Sequence, residues 1–177
     1  GTTSIHFLTD DLFRNFKAIL SSPSFQQAFK NTVVIWLSNF VPQILLALLL
    51  AAWFTDKRST VKGQGIFKIL LYMPNIITAA TIAILFSGFF GYPMGPVNDL
   101  LVRFGFVEKP LELLRNKTVS RSVVIFIQTW MWYGSTTITL ISGILGISPE
   151  IFESAEVDGA NRLQTFIYIT LPNVKTI

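Results

Sequence analysis

The chain has 177 residues, of which 51% are hydrophobic and only 14% charged, with 16 phenylalanines and a net charge of +4. Its mean hydropathy of +0.54 exceeds what a soluble core of this size requires, so lipid is the natural solvent. The lack of cysteine excludes a disulfide framework and a thiolate metal site, and basic residues that flank apolar segments, rather than clustering with aromatics, argue against nucleic acid.

Residues 1–30 mix Asp10, Asp11, Arg14, Lys17 and Lys30 with many apolar side chains. Within them Leu12, Phe13, Phe16, Ile19 and Leu20 recur at helical spacing, which predicts an amphipathic interfacial helix ending before Ser21-Ser22-Pro23. Asp, Glu, Lys and Arg are then missing from residues 31–55, 69–98 and 122–149. Each gap exceeds the roughly 20 residues that cross a bilayer core, and an ionised side chain at the bilayer centre costs about 2.5 to 3.5 kcal/mol. A soluble helix would instead show a charge at every third or fourth position of its outer face.

Three membrane-spanning helices are therefore predicted, at about 31–54, 69–90 and 122–145. Trp36 and Trp53 stand near the ends of the first, as an aromatic belt places them. Pro74 is expected near the start of the second, where a helix tolerates proline best. The loop over 55–68 carries Asp56 with Lys57, Arg58, Lys62 and Lys68, which suggests the cytoplasmic side. The loop over 91–121 carries Arg103, Lys109, Arg115, Lys117 and Arg121 with Asp99, Glu108 and Glu112. An alternating path then puts residues 1–30 and the second loop outside, and the segment after the third span inside.

That last segment reads as a helix-turn-helix outside the membrane. Ser148 is the expected N-cap, Pro149 the first helical residue, and Glu150 and Glu153 face the positive end of the dipole. Asp158-Gly159 supplies a turn. A second amphipathic helix over 160–170 follows, which Leu171-Pro172 is expected to interrupt. Taken alone, Asp158-Gly159 and its small neighbours would be no more than a tight connection.

Polar residues inside apolar spans face water or a partner rather than lipid. Gln128, Trp132, Ser135 and Thr139 align on one face of the third span, with Thr136 beside them and Trp130, Tyr133 and Thr129 around. Aromatic, amide and hydroxyl groups together suit a sugar path, and the same residues suit close helix packing with Gly134, Gly143 and Gly146. Both readings stay open. Asn39 with Gln43, and Asn75 with Thr78, are lesser positions of the same kind. No acidic or basic group lies within a span, which disfavours an ion-coupled carrier. His6 is the single histidine, and no HExxH, GxSxG or Walker sequence occurs, so no catalytic or metal site is expected.

Glu153-Ser154-Ala155, Asp158-Gly159-Ala160, Phe166, Ile169 and Leu171-Pro172 resemble the EAA loop of binding-protein-dependent ABC importer permeases. That pattern is Glu-Ala-Ala, three residues, Gly, then Ile-x-Leu-Pro, with Ser154 here in place of the first Ala. The stretches 25–32, 63–74 and 91–98 are similar to the carbohydrate branch, the maltose-type and glycerol-phosphate-type permeases. The resemblance implies an all-α polytopic fold in a bacterial or archaeal cytoplasmic membrane and a translocation path for a sugar, polyol or sugar phosphate. It assigns ATPase coupling to Glu153, Ser154, Ala155, Asp158, Gly159 and Ala160 in a loop over 148–172. It implies no cofactor on this chain, ATP and Mg on a cytoplasmic ATPase dimer, a second homologous permease and an extracytoplasmic solute-binding protein. It also suggests that further spans flank this region in a longer chain. The alternatives are a non-conducting membrane scaffold or assembly protein, or a permease for a different solute class.

Overall fold

The computed structural model describes residues 13–56 and 62–175. Asp10, Asp11, Leu12, Lys57 and Arg58, used above, lie outside the described residues. The chain divides into two units, which among the described residues cover 13–37 and 38–175.

In the first unit α1, Arg14–Ser21, carries the expected apolar stripe, with Phe13 and Phe16 rings 6.4 Å apart. It stops where expected. Ser22 precedes a proline, which disfavours the helical region, and adopts extended backbone at ψ 124°. The Gln26 side-chain amide donates to the Leu20 carbonyl at 3.0 Å, satisfying one orphaned acceptor of the α1 end. Pro23 then opens α2, Pro23–Thr55, because the first helical position needs no N–H. The helix thus starts at Pro23 rather than near Asn31, and Phe25 stacks on Phe29 one turn along.

The second unit holds the rest of α2, then α3 (Gln64–Ile76), α4 (Ala79–Phe89), α5 (Pro96–Arg103), a 3₁₀ turn (Leu113–Arg115) and α6 (Lys117–Leu145). After these come α7 (Pro149–Val157), α8 (Arg162–Thr165), a π-turn (Phe166–Thr170) and α9 (Leu171–Val174). Among the described residues there is no strand. Its core gathers Ala51 and Phe54 of α2, Ile141 and Ile144 of α6 and Val174 of α9, with Leu71, Ile147 and Phe152 packed against them.

The stretch expected as a single helix over 69–90 is two helices bent by 90°. Ile77 takes extended backbone, and Thr78 restarts the chain as an N-cap whose hydroxyl accepts from the Thr81 N–H at 3.3 Å. Pro74 lies near the end of α3, not the start of a span. By itself α2 is long and apolar enough to cross a membrane. The bent pair α3 with α4 passes as a span only when taken together, and α6, at 29 residues long enough by itself, is apolar enough only with α7, from which it is bent by 74°. The polar run 128–139 lowers the apolarity of α6. Large side chains stay uncovered along these helices, Ile76 at 70% and Ile84 at 73%, more apolar exposure than a water-facing monomer carries.

Helices α3 and α6 approach closely at Gly134. A methyl group built on Gly134 would overlap the Leu71 backbone carbonyl. Asn98 fixes the loop after α4 instead. This asparagine is fully buried; its amide nitrogen donates to the carbonyls of Gly91 (3.1 Å) and Leu111 (3.0 Å), and its oxygen accepts the Leu111 N–H at 2.8 Å.

A polar helix face and a closed bend after it

Helix α6 begins on Asn116, whose side chain accepts from the N–H groups of Thr118 and Val119. Its packed face carries Gly134, Thr137, Ile141 and Ile144. Four of the six side chains expected on a substrate path, Gln128, Trp132, Ser135 and Thr139, lie on the opposite face, where Trp132 is 52% exposed. Ser135 donates to the Trp132 carbonyl at 3.1 Å and Thr139 to the Ser135 carbonyl at 3.1 Å, within the helix. Their oxygens keep acceptor capacity outward.

The other two fall elsewhere. Thr136 accepts from the Gln43 amide of α2 at 2.8 Å, and Tyr133 is half-buried on the flank of the packed face. Nearby Thr129 donates to the oxygen of Asn39, which is buried, at 2.9 Å, and Asn75 of α3 donates to the Met131 carbonyl at 3.4 Å. Asn39, Gln43, Asn75, Thr129 and Thr136 therefore join helices, while the exposed row does not. Interhelical bonds of this kind contribute about 0.6 kcal/mol in membranes. A double-mutant cycle of Gln43→Leu and Thr136→Val, read by unfolding in bicelles, should return a coupling of about that size. A value near zero would show that the two residues do not interact.

At the end of α6 the chain turns through Ser148 into α7. Pro149 occupies the first position as expected, and Ser148 sits at the N-cap without a side-chain bond. The far end of α7 closes as a Schellman motif: the Ala160 N–H donates to Ala155 O at 2.9 Å and the Gly159 N–H to Glu156 O at 3.1 Å. Such closure requires a left-handed residue after the cap, and Gly159 has φ 78°. Ala155 is buried at 8% exposure, whereas Glu153, Ser154 and Asp158 point outward. Ser154 donates to the Ile151 carbonyl at 3.1 Å. The space around Gly159 is open, so its role within this chain is conformational.

Beyond the bend lies a capping box that the sequence shows as Asn161-x-x-Gln164. The Asn161 oxygen accepts the Gln164 N–H at 2.9 Å and the Gln164 oxygen accepts the Asn161 N–H at 2.8 Å. Pro172 does not interrupt the second helix as expected. The π-turn widens the ring so that the Leu171 N–H reaches Phe166 O, and the Asn173 side chain donates to Ile169 O at 2.7 Å. The helical path thus survives a residue with no N–H. At the start of this segment Arg162 pairs with Asp56, just past the end of α2, at 3.0 Å.

The chain is similar to known proteins over most of its length. The lactose transport system permease protein LacF of Rhizobium radiobacter is 27% identical over 163 residues, covering 92% of this chain and 54% of that protein. The arabinooligosaccharides transport system permease protein AraP of Bacillus subtilis is 29% identical over 159 residues, covering 89% of this chain and 50% of that one. The crystal structure of a bacterial ABC transporter involved in the import of the acidic polysaccharide alginate superposes with a TM-score of 0.78 at 28% identity, over 92% of this chain and 56% of that one. The chain spans about half the length of the curated relatives it matches. Because residues 31–177 match the model of the binding-protein-dependent transport system inner membrane component, the chain belongs to that family.

Proposed function

We propose that this chain is part of the multi-pass permease subunit of an ATP-driven sugar importer, and that the bend at Gly159 couples it to a separate ATPase. The solute class follows from relatives named for lactose and arabinooligosaccharides. In this reading a homologous permease completes the path, a cytoplasmic ATPase dimer binds ATP and Mg, and an extracytoplasmic solute-binding protein delivers the sugar. The transporter of a similar solved structure is in complex with an alginate pentasaccharide-bound periplasmic protein.

One observation carries the coupling assignment: the closed α7–Gly159 bend buries Ala155 inward and presents Glu153, Ser154 and Asp158 outward. A rigid element of this kind transmits a push as a body. Glu153, Ser154 and Asp158 would then meet the ATPase, with Ala155, Gly159 and Ala160 holding the shape. The test is reconstitution of the full-length permease with its ATPases and binding protein. Gly159→Asp is expected to lower substrate-stimulated ATP hydrolysis about tenfold, the size of an ordinary coupling free energy. Unchanged stimulation would remove the assignment.

The polar row of α6 is assigned to the sugar path, since it is exposed while its neighbours are spent on helix contacts. Replacing Gln128 by Leu and Trp132 by Ala together should reduce uptake with assembly intact. A scaffold would show no uptake to lose.

A further inference from the structure

Asp56 and Arg162 each stand where their own helix disfavours them. Asp56 follows Thr55 at the negative end of α2, which has no basic residue in its last turn. Arg162 is the first residue of the helical segment Arg162–Val174, at a positive end. A helix dipole favours the opposite charge at each place. A sequence that breaks a local preference twice, at two residues that meet at 3.0 Å, points to a use for the pair.

Packing joins these elements elsewhere. A cavity of about 400 Å³ lies between the end of α2 and the α8 segment, lined by Ala52, Trp53 and Asp56 on one side and Arg162, Thr165 and Phe166 on the other. The hydrophobic core joins Ala51 and Phe54 of α2 to Val174, farther along this segment, with Phe152 of α7 packed against it. The ion pair spans the open part, with Asp56 only 23% exposed and Arg162 at 63%. An exposed pair adds little to stability, but it sets where the Asn161 turn sits against α2.

We infer that Asp56 and Arg162 are a positioning pair, which makes the end of α2 follow the bend at Gly159 when that bend moves. The inference rests on the coupling role proposed above. The bend is continuous with α6 through the chain; the pair adds a direct polar link from the bend to the end of α2, beside the apolar core that already holds α2.

The experiment uses the full-length permease reconstituted with its ATPases and binding protein, reading sugar taken up per ATP hydrolysed. Asp56→Asn and Arg162→Gln should each lower that ratio about fivefold, the lower end of a coupling effect, while basal ATP hydrolysis and detergent elution stay unchanged. The exchanged pair D56R/R162D should restore it, since both charges then also suit their helix ends. An unchanged ratio in the single variants overturns the inference, and so does a reduced ratio that the exchange fails to restore. Gly159→Asp, run in parallel, separates the two readings. If it uncouples and the pair variants do not, only the positioning role fails; if it does not uncouple, the coupling role itself fails.

Discussion

Gly134→Val should leave little folded permease, and Gly134→Ala should already lower the unfolding midpoint measurably. The added carbon would overlap the Leu71 carbonyl oxygen and crowd the Tyr72 nitrogen. These are backbone atoms, so no side chain can swing away; α3 must move off α6. That movement would pull Asn75 from the Met131 carbonyl and loosen Leu71 from the core around Ile141. Overpacking of a tight site costs about 1 to 3 kcal/mol for a small group and more for a branched one. Gly88→Ala is the control, because nothing lies within 4 Å of that position, and the gain in helix propensity there is about 0.5 to 1 kcal/mol. Equal midpoints for Gly134→Ala and the parent would refute the close approach.

Asn98→Ala is expected to destabilise the loop between α4 and α6 by about 3 kcal/mol, from bonds worth about 1 kcal/mol each plus the desolvation of partners left behind. Gly91 O retains the Gly95 N–H and Leu111 O the Leu113 N–H, each at 2.9 Å, so the larger penalty falls on the Leu111 N–H, which loses the Asn98 oxygen. Limited proteolysis across 91–115 should show faster cleavage, with α2 still protected. Asn98→Asp discriminates further. The introduced carboxyl can serve the Leu111 N–H in either state, but it can donate to a carbonyl only when protonated. Burial and two facing carbonyls raise its folded pKa, so its stabilising contribution is present at low pH and lost as pH rises through that value. The variant should therefore be less stable at about pH 8 than at about pH 5. The same midpoint at both would mean that the side chain is not buried as described.

Much of the layout is legible in residue types. The stop before Pro23 follows from one steric rule at Ser22, and the start of α7 from Ser148-Pro149. The turn at Gly159 was legible because only a residue tolerant of φ 78° closes that end. Other signals were present and unused: Asn116 and Thr78 as N-caps, and Asn161 with Gln164 as a capping box. Two features were not decided by local signals. A proline normally ends a helix, and whether a π-turn absorbs Pro172 depends on neighbouring acceptors and on Asn173. The 90° break after Ile76 sits in an uncharged run where Pro74, Asn75 and Thr78 allow a break, but a kinked single span would carry the same residues, and the angle is set by packing.

The polar face of α6 separates the two kinds of knowledge. Composition and the missing charges by themselves determined that this protein belongs in lipid, that it is helical, and that a small-residue bend follows the most polar of its three uncharged segments, because these properties depend on side-chain type and local spacing. Only the tertiary structure decided that Thr136 is held by Gln43 while Gln128, Trp132 and Thr139 stay exposed and Ser135 half-buried beside them. It also decided that Asp56 meets Arg162. A hydroxyl or a charge has the same local signature whether its partner is a substrate, a neighbouring helix or an ion far along the chain, and that partner is set by how distant segments pack.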